Sequence, residues 1–524
     1  MSHKRHVTYE AGGFCAVALI LFSLLAGCVK VGPDYTRPEV KVAPQWMESG
    51  DSRVKNEPAD YRNWWRVFND PALDRLIDRA YRENLSIRIA GVRVLEARAQ
   101  LGIAFKGLFP QDVPITGSLQ YNRISQGVAV PTAAPSYLQS QLGVSAAWEL
   151  DFWGRFRRTI ESAEANWLAT IADYDNALVT LTADVANSYI TIRTLEKRLE
   201  IARQNVQTRK ESLEIAEARF KYGTVTQLDV EQAKTALDDT LAAIPSLETQ
   251  LRQIKNALSV LLGMAPNDLM DFLKGPSDIP VSPSQVIVGI PADLLRRRPD
   301  IRGAEYQAAA QSARVGVAKA DLYPAISLTG SFSILSTDIG ASSLGDMFKW
   351  SSRDIQAGPS FQWNILNYGR IANNIRVQDA RLQELLITYQ NTVLTAQQEV
   401  EDNLVAFLRA WERARILARG TASARKALDL AVLQYRQGIT DFTTVLTAQQ
   451  ALLNEQDSLA VTLGDISANL VGVYRALGGG WEIREGKDLV PAAVRQEMAN
   501  RTNWGDLLAP ASYNPPVSGQ PEEK

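Results

Sequence analysis

GRFRRTIESAEANWLATIADYDNALVTLTADVANSYITIRTLEKRLEIARQNVQTRKESLEIAEARFKY, residues 154–222, runs from Gly154 to Tyr222 without a proline. Counted in sevens, one row is Trp167, Tyr174, Leu181, Ser188, Leu195 and Ala202. The other is Ile171, Leu178, Val185, Ile192, Leu199, Val206 and Leu213. This four–three alternation is the pattern of helices packed side by side. At 1.5 Å per residue, a helix over 155–222 is roughly 100 Å long. Charged residues on most turns make it too polar for lipid. A helix of that length bridges a distance or lines a conduit.

Displaced by 215 positions, the sequence lands on itself. Trp148 to Arg155 meets Trp363 to Arg370, and the heptad row returns as Leu386, Val393, Val400 and Phe407. Gly223 meets Gly438, and Leu262-Gly263 meets Leu477-Gly478. The chain is therefore two copies of one unit, 71–263 and 290–478, joined by a linker over 264–289.

The net charge is −2, which points to no nucleic-acid partner. The only histidines are His3 and His6, and the only cysteines are Cys15 and Cys28. Lys4, Arg5 and His6 precede an apolar run, Phe14 to Leu25, of signal-peptide length. It ends in Leu25-Ala26-Gly27-Cys28, which resembles the lipobox of bacterial lipoproteins. On that resemblance residues 1–27 are removed, and Cys28 carries a diacylglycerol and an N-acyl chain. Two or more chains anchor stably where one does not. Val29 replaces the aspartate that retains such proteins in the inner membrane, so the bacterial outer membrane is expected. The mature chain then holds neither histidine nor free thiol. That excludes Ser-His-Asp and Cys-His catalysis, His-ligated zinc and disulfides. Carboxylate-only chemistry stays open, and the expectation is a protein that is no enzyme, with no metal and no cofactor beyond the lipid.

Residues 28–70, with Trp46, Trp64 and Trp65, read as an extended arm over the body. A helical pattern follows from Pro71 to Lys106, with Asp70 as its cap. Period-2 alternation predicts strands over 113–122, 138–150, 325–334 and 354–366. Each pair precedes a long helix and a return helix: 155–222 with 225–262, and 370–437 with 440–477. Gly223 and Gly438 fall where a helix end wants left-handed backbone. Strands of about ten residues match the span of an outer-membrane barrel strand. The alternative is two soluble hairpins capping a helical body, and the lipobox favours the membrane. Four strands cannot close a barrel, and an open edge cannot face lipid. Three chains give twelve strands; two give eight, which leaves little lumen. The three arginines at 296–298 suit an anion site or, more simply, an ion-paired helix start. The tail after Trp481 reads as disordered, and 479–524 as partly so.

Several motifs together carry a family resemblance: Leu25 to Cys28 with Val31-Gly-Pro-Asp-Tyr35, Trp148 to Arg155, Pro291 to Asp300, and the two glycine turns. The sequence resembles the TolC-type outer-membrane efflux factors, in their lipidated OprM-like branch, over nearly all of the mature chain. The resemblance implies a mainly helical fold with a membrane β-barrel. Long helical hairpins form a periplasmic α-barrel, and three chains share a 12-stranded barrel. It also implies a periplasmic adaptor and an inner-membrane pump, often of the resistance-nodulation-division class, as partners. The function implied is an exit duct for drugs or other small molecules. A type I protein-secretion channel is the alternative within the fold, and a lipid-anchored coiled-coil scaffold the alternative outside it.

In that family the α-barrel closes at its periplasmic tips. By resemblance Gly223, Asp229, Tyr435, Gly438, Thr440 and Asp441 form the tip, with Tyr435 donating a hydrogen bond to Asp229. Thr440 stands where some members carry an arginine. Thr444 and Thr447 stand where some carry aspartates, which leaves Asp441 as a local acidic substitute.

Overall fold

The computed structural model describes residues 30–57, 60–125, 127, 136–274 and 278–509. They form two compact units. The first comprises Met1–Pro38, Glu96–Ala169 and Glu305–Thr388, the second Glu39–Leu95, Thr170–Ala304 and Tyr389–Lys524.

In chain order the elements begin with β1 (Val54–Lys55), α1 (Pro71–Glu83) and α2 (Leu85–Lys106). Then come β2 (Ile115–Arg123), β3 (Ser136–Glu149), α3 (Arg155–Lys221) and α4 (Gln227–Leu261). After β4 (Val286–Ile287) and the short α5 (Leu294–Arg297), the second half repeats the first. It has α6 (Pro299–Ala320), β5 (Ala325–Thr337), β6 (Arg353–Gln362), α7 (Arg370–Gln437), α8 (Phe442–Ala476) and a final α9 (Ala492–Arg501). No helix among the described residues is long and apolar enough to cross a membrane.

The heptad rows become the core. Tyr174, Leu178, Val185 and Ile192 of α3 are fully buried, as are Val393, Val400 and Phe407 of α7. Asp70 caps α1 by accepting from the Ala72 amide at 2.8 Å, with Pro71 at the first helical position. Its other oxygen accepts from the Tyr189 hydroxyl at 2.6 Å, tying the cap to α3.

Four expectations need correction. The helical pattern over 71–106 is two helices, because Asn84 adopts an extended backbone. Its Oδ1 accepts from Ile87 N and its Nδ2 donates to Leu261 O, so the side chain caps one helix and holds another. The arm is not extended throughout: Trp64–Phe68 form a 3-10 helix, while β1 pairs in parallel with β4 of the linker. The strand ends shift by up to four residues, since cross-strand pairing rather than alternation sets them. The segment after Trp481 is not disordered throughout: it forms α9 and buries Leu489 and Val490, and the disorder expected over 510–524 falls outside the described residues.

In the first unit the strands form one antiparallel sheet in the order β2-β3-β5-β6. The second hairpin thus joins the first edge to edge, through pairs such as Val144↔Phe332 and Trp148↔Leu328.

Candidate functional site

Two assemblies are candidates: the paired turns of the second unit and the sheet of the first.

The turns are built by glycine. After α3, Gly223 takes φ +69°, and after α7, Gly438 takes φ +76°. At each, the glycine amide and the next amide turn back onto the helix: Gly223 onto Phe220, Thr224 onto Arg219, Gly438 onto Tyr435, Ile439 onto Gln434. This double closure satisfies carbonyls that the helix end would orphan, and a side chain at that φ is strained. Asp441 then caps α8, accepting from Thr444 N at 3.0 Å and Thr444 Oγ1 at 2.8 Å. Those bonds hold its carboxyl below the ordinary carboxylate range. Thr440 Oγ1 donates to Thr444 Oγ1 at 2.9 Å.

Beneath the turns, Ala216, Val230, Ala233, Leu428, Ala431, Tyr435, Phe442, Val445 and Leu452 make one core. The structure therefore brings together the tip residues expected from both repeats. It does not form the expected hydrogen bond. The Tyr435 ring is 2% exposed, packs 5.2 Å from Phe442, and leaves its hydroxyl buried without a partner. Asp229 is half-buried and close enough to act on that hydroxyl through its field, yet accepts nothing from it. Burial pushes the phenol up, Arg219 pulls it down, and Asp229 raises it again.

Arg219 takes the holding role. Its guanidinium lies 4.4 Å over the Tyr435 ring and donates to the Tyr435 carbonyl. Sequence reasoning missed it. The available signal was an arginine one turn before Gly223, where a cation also faces the negative helix end. The repeats diverge here: Phe220 occupies the position equivalent to Tyr435, yet it is 45% exposed.

The sheet has two unlike faces, because directly opposed residues of a ladder share a side. One carries Ile115, Val144, Phe332 and Ile355 in a row, then Leu142 beside Ile334, and Leu328 beside Pro359. Most of these apolar side chains are exposed, Ile115 and Ile355 by 79% and 71%. The other face is mostly polar: it carries Thr116, Ser118, Gln120, Gln139, Gln141, Ser145, Ser327, Thr329, Ser331, Gln356 and Ser360, with Tyr137 and Leu335 among them. At the 338–352 connection Phe348 and Trp350 are exposed, and Arg353 stacks 3.6 Å over Trp350. β2 and β6 are edges with no partner strand among the described residues.

Cys28 lies outside the described residues. Just after it, Arg158, almost fully buried, donates to the carbonyls of Val31 and Gly32 and pairs with Asp34 and Glu161. Lys30 also pairs with Glu161, at 2.6 Å. Of the three arginines, Arg298 is an ion-paired helix start: it binds Asp300, Glu399 and the Ala476 carbonyl. Arg297 stacks 4.1 Å over Tyr61.

A model of the outer membrane efflux protein family matches residues 76–264 and 290–479. The chain is similar to nodulation protein T of Rhizobium leguminosarum bv. trifolii. The two are 31% identical over 458 residues, 87% of this chain and 96% of that protein. It is also similar to the toluene efflux pump outer membrane protein TtgC of Pseudomonas putida. Here identity is 32% over 481 residues, 90% of this chain and 96% of that protein. Among solved structures, the outer-membrane channel OprN matches with a TM-score of 0.80 and 32% identity. That match covers 86% of this chain and 99% of OprN.

Proposed function

The chain belongs to the outer membrane efflux protein family, and on that premise we propose that three copies form the exit duct of a tripartite efflux system. The observation that carries the reading is the sheet. An exposed apolar face belongs against lipid, and its polar reverse belongs against water. Two open edges cannot stay unpaired in lipid, because each orphaned backbone group costs several kcal/mol there. Joining β6 of one copy to β2 of the next removes both edges. Three four-stranded sheets then make twelve strands, wide enough for a lumen that eight would fill with side chains.

In this reading the duct does no chemistry. A periplasmic adaptor and an inner-membrane pump, of the resistance-nodulation-division class, drive cargo into it. Its relative TtgC is named for toluene, which supports small, largely apolar cargo selected by the pump. Cys28 carries the lipid anchor, and the clamp of Arg158 on Val31 and Gly32 supports an arm held firmly just beyond it.

The test is the mass of detergent-extracted protein together with its conductance in planar bilayers. A trimer that conducts is expected. A conducting monomer would sink the shared barrel. For the anchor, wild-type protein should take up labelled palmitate and Cys28→Ser should not; an unlabelled wild type ends that reading.

A further inference from the structure

The seam inside the sheet is a template for the seam that its open edges lack. β2 and β5 are the first strands of the two hairpins, and β3 and β6 are the second. Within the chain β3 pairs with β5, and the segments beside that seam lock as well. Just after β3, the Trp153 ring stacks 4.5 Å from Tyr323, and its Nε1 donates to the Pro324 carbonyl at 2.9 Å. The repeat equivalents are Tyr368 for Trp153, and Phe109-Pro110 for Tyr323-Pro324. Both corners are built alike: Trp148 Nε1 donates to Leu108 O and Trp363 Nε1 to Leu322 O, each at 3.0 Å. Yet the second lock stands open on both sides. Tyr368 is 98% exposed and Phe109 59%. Tyr368 also holds φ +48°, a left-handed backbone that is costly for a bulky residue and calls for surroundings that fix it.

We propose that a second copy of this chain closes the lock: Tyr368 of one copy seats on Phe109 and Pro110 of the next, with Ser360 of β6 opposite Ser118 of β2. The inference rests on the barrel reading above and adds its register. Ser118 lies opposite Gln141, and Ser331 opposite Gln356. Gln141 and Gln356 are repeat equivalents, so Ser118 and Ser331 are too. Within the chain Ser331 faces Ser145, whose equivalent is Ser360. The same step sets Phe361 opposite Gly117 and Gln356 opposite Asn122. It keeps the apolar row continuous on one face across the new seam, which a slip of one residue would not. A second observation agrees. Asn122 Nδ2 is buried without a partner among the described residues, and Gln356 brings an amide oxygen that accepts. Tyr368, like Trp153, is a flat ring with a hydrogen-bond donor at its edge, so it suits the same corner of ring and carbonyl.

The test is a disulfide in the assembled full-length protein. Ser360→Cys/Ser118→Cys is oxidised mildly and run on a denaturing, non-reducing gel, with each single substitution and the unsubstituted protein as blanks. Within one chain β2 and β6 are the two outer strands, about 14 Å apart, so a disulfide between these positions joins copies. Opposed residues sit about 4.5–5.5 Å apart, within disulfide reach, whereas positions displaced by two sit about 7–8 Å apart. The expected result is a covalent trimer from Ser360→Cys/Ser118→Cys and little from Ser360→Cys/Thr116→Cys or Ser360→Cys/Gln120→Cys. A trimer by mass that leaves the Ser118 pair unlinked, or links either displaced pair faster, overturns the register. For the corner, Tyr368→Ala and Phe109→Ala should each lower the dodecyl sulfate concentration at which the trimer dissociates, and the double substitution should lower it no further than the worse single. Additive losses, or none, overturn the docking. Unsubstituted protein that is monomeric by mass fails the barrel reading itself, which keeps the two failures apart.

Discussion

Replacing Arg219 by alanine tests what holds the two tip turns together. Its guanidinium donates to the Tyr435 carbonyl and covers the Tyr435 ring. A hydrogen bond from a charged donor contributes about 1.5–3 kcal/mol. A cation over an aromatic face contributes about 0.5–1 kcal/mol at an exposed site. Arg219 is half-buried, so solvent competes for it, and a loss of about 2 kcal/mol is the expectation. At about 1.4 kcal/mol per decade, that is roughly thirtyfold in local opening. The assay is amide exchange at Gly438 and Ile439, whose hydrogen bonds close the turn onto Tyr435 and Gln434. Exchange should quicken roughly thirtyfold there and stay unchanged in the middle of α7. Arg219→Lys keeps the charge but loses the planar fork, and should fall between. Tyr435→Phe is the counter-test. Its hydroxyl is buried without a partner, so removing it should leave exchange unchanged or slower. Wild-type exchange in Arg219→Ala, or faster exchange in Tyr435→Phe, refutes the reasoning.

Other perturbations reach the remaining parts. Phe332→Arg puts a charge on the apolar face and should destabilise the lipid-embedded protein by about 2–4 kcal/mol per chain in urea unfolding, while Ser331→Arg on the polar face costs far less. Asp175 is fully buried between Arg302 and Arg484. Asp175→Ala leaves two cations without a counter-charge and should cost about 3–5 kcal/mol in chemical denaturation. Asp441 has a folded pKa below its ordinary value, so its capping stabilisation is present at neutral pH and lost as pH falls through that lowered value. After correction for intrinsic rates, protection of the Thr444 amide should fall on acidification, and Asp441→Asn should show no such titration.

Much of the architecture was legible because it is periodic. A seven-residue row, a two-residue alternation and a 215-residue self-match are properties of the chain before it folds. They specify α3 and α7, four strands with two unlike faces, and a duplicated fold. The two turn glycines, 223 and 438, were legible for a related reason: a positive φ is a demand on one residue, and glycine meets it most cheaply.

What the sequence left open concerns partners far apart in the chain. Asn84 is polar within an apolar pattern, and only the carbonyl of Leu261 explains why it breaks the helix. Tyr435 and Phe220 are equivalent by repeat, yet one is core and the other surface, because the two turns pack against each other with a single shared interior. The Tyr435 hydroxyl was assigned to Asp229 by resemblance. Packing turned the ring onto Phe442 instead and gave the backbone carbonyl to Arg219. The alternation of each strand fixed which residues share its face. Edge pairing of β3 with β5 decided that the two hairpins present one continuous apolar surface and one continuous polar surface with no lysine or arginine. Backbone preference is local and repeats along the chain, whereas the choice of neighbour is made only when distant segments meet.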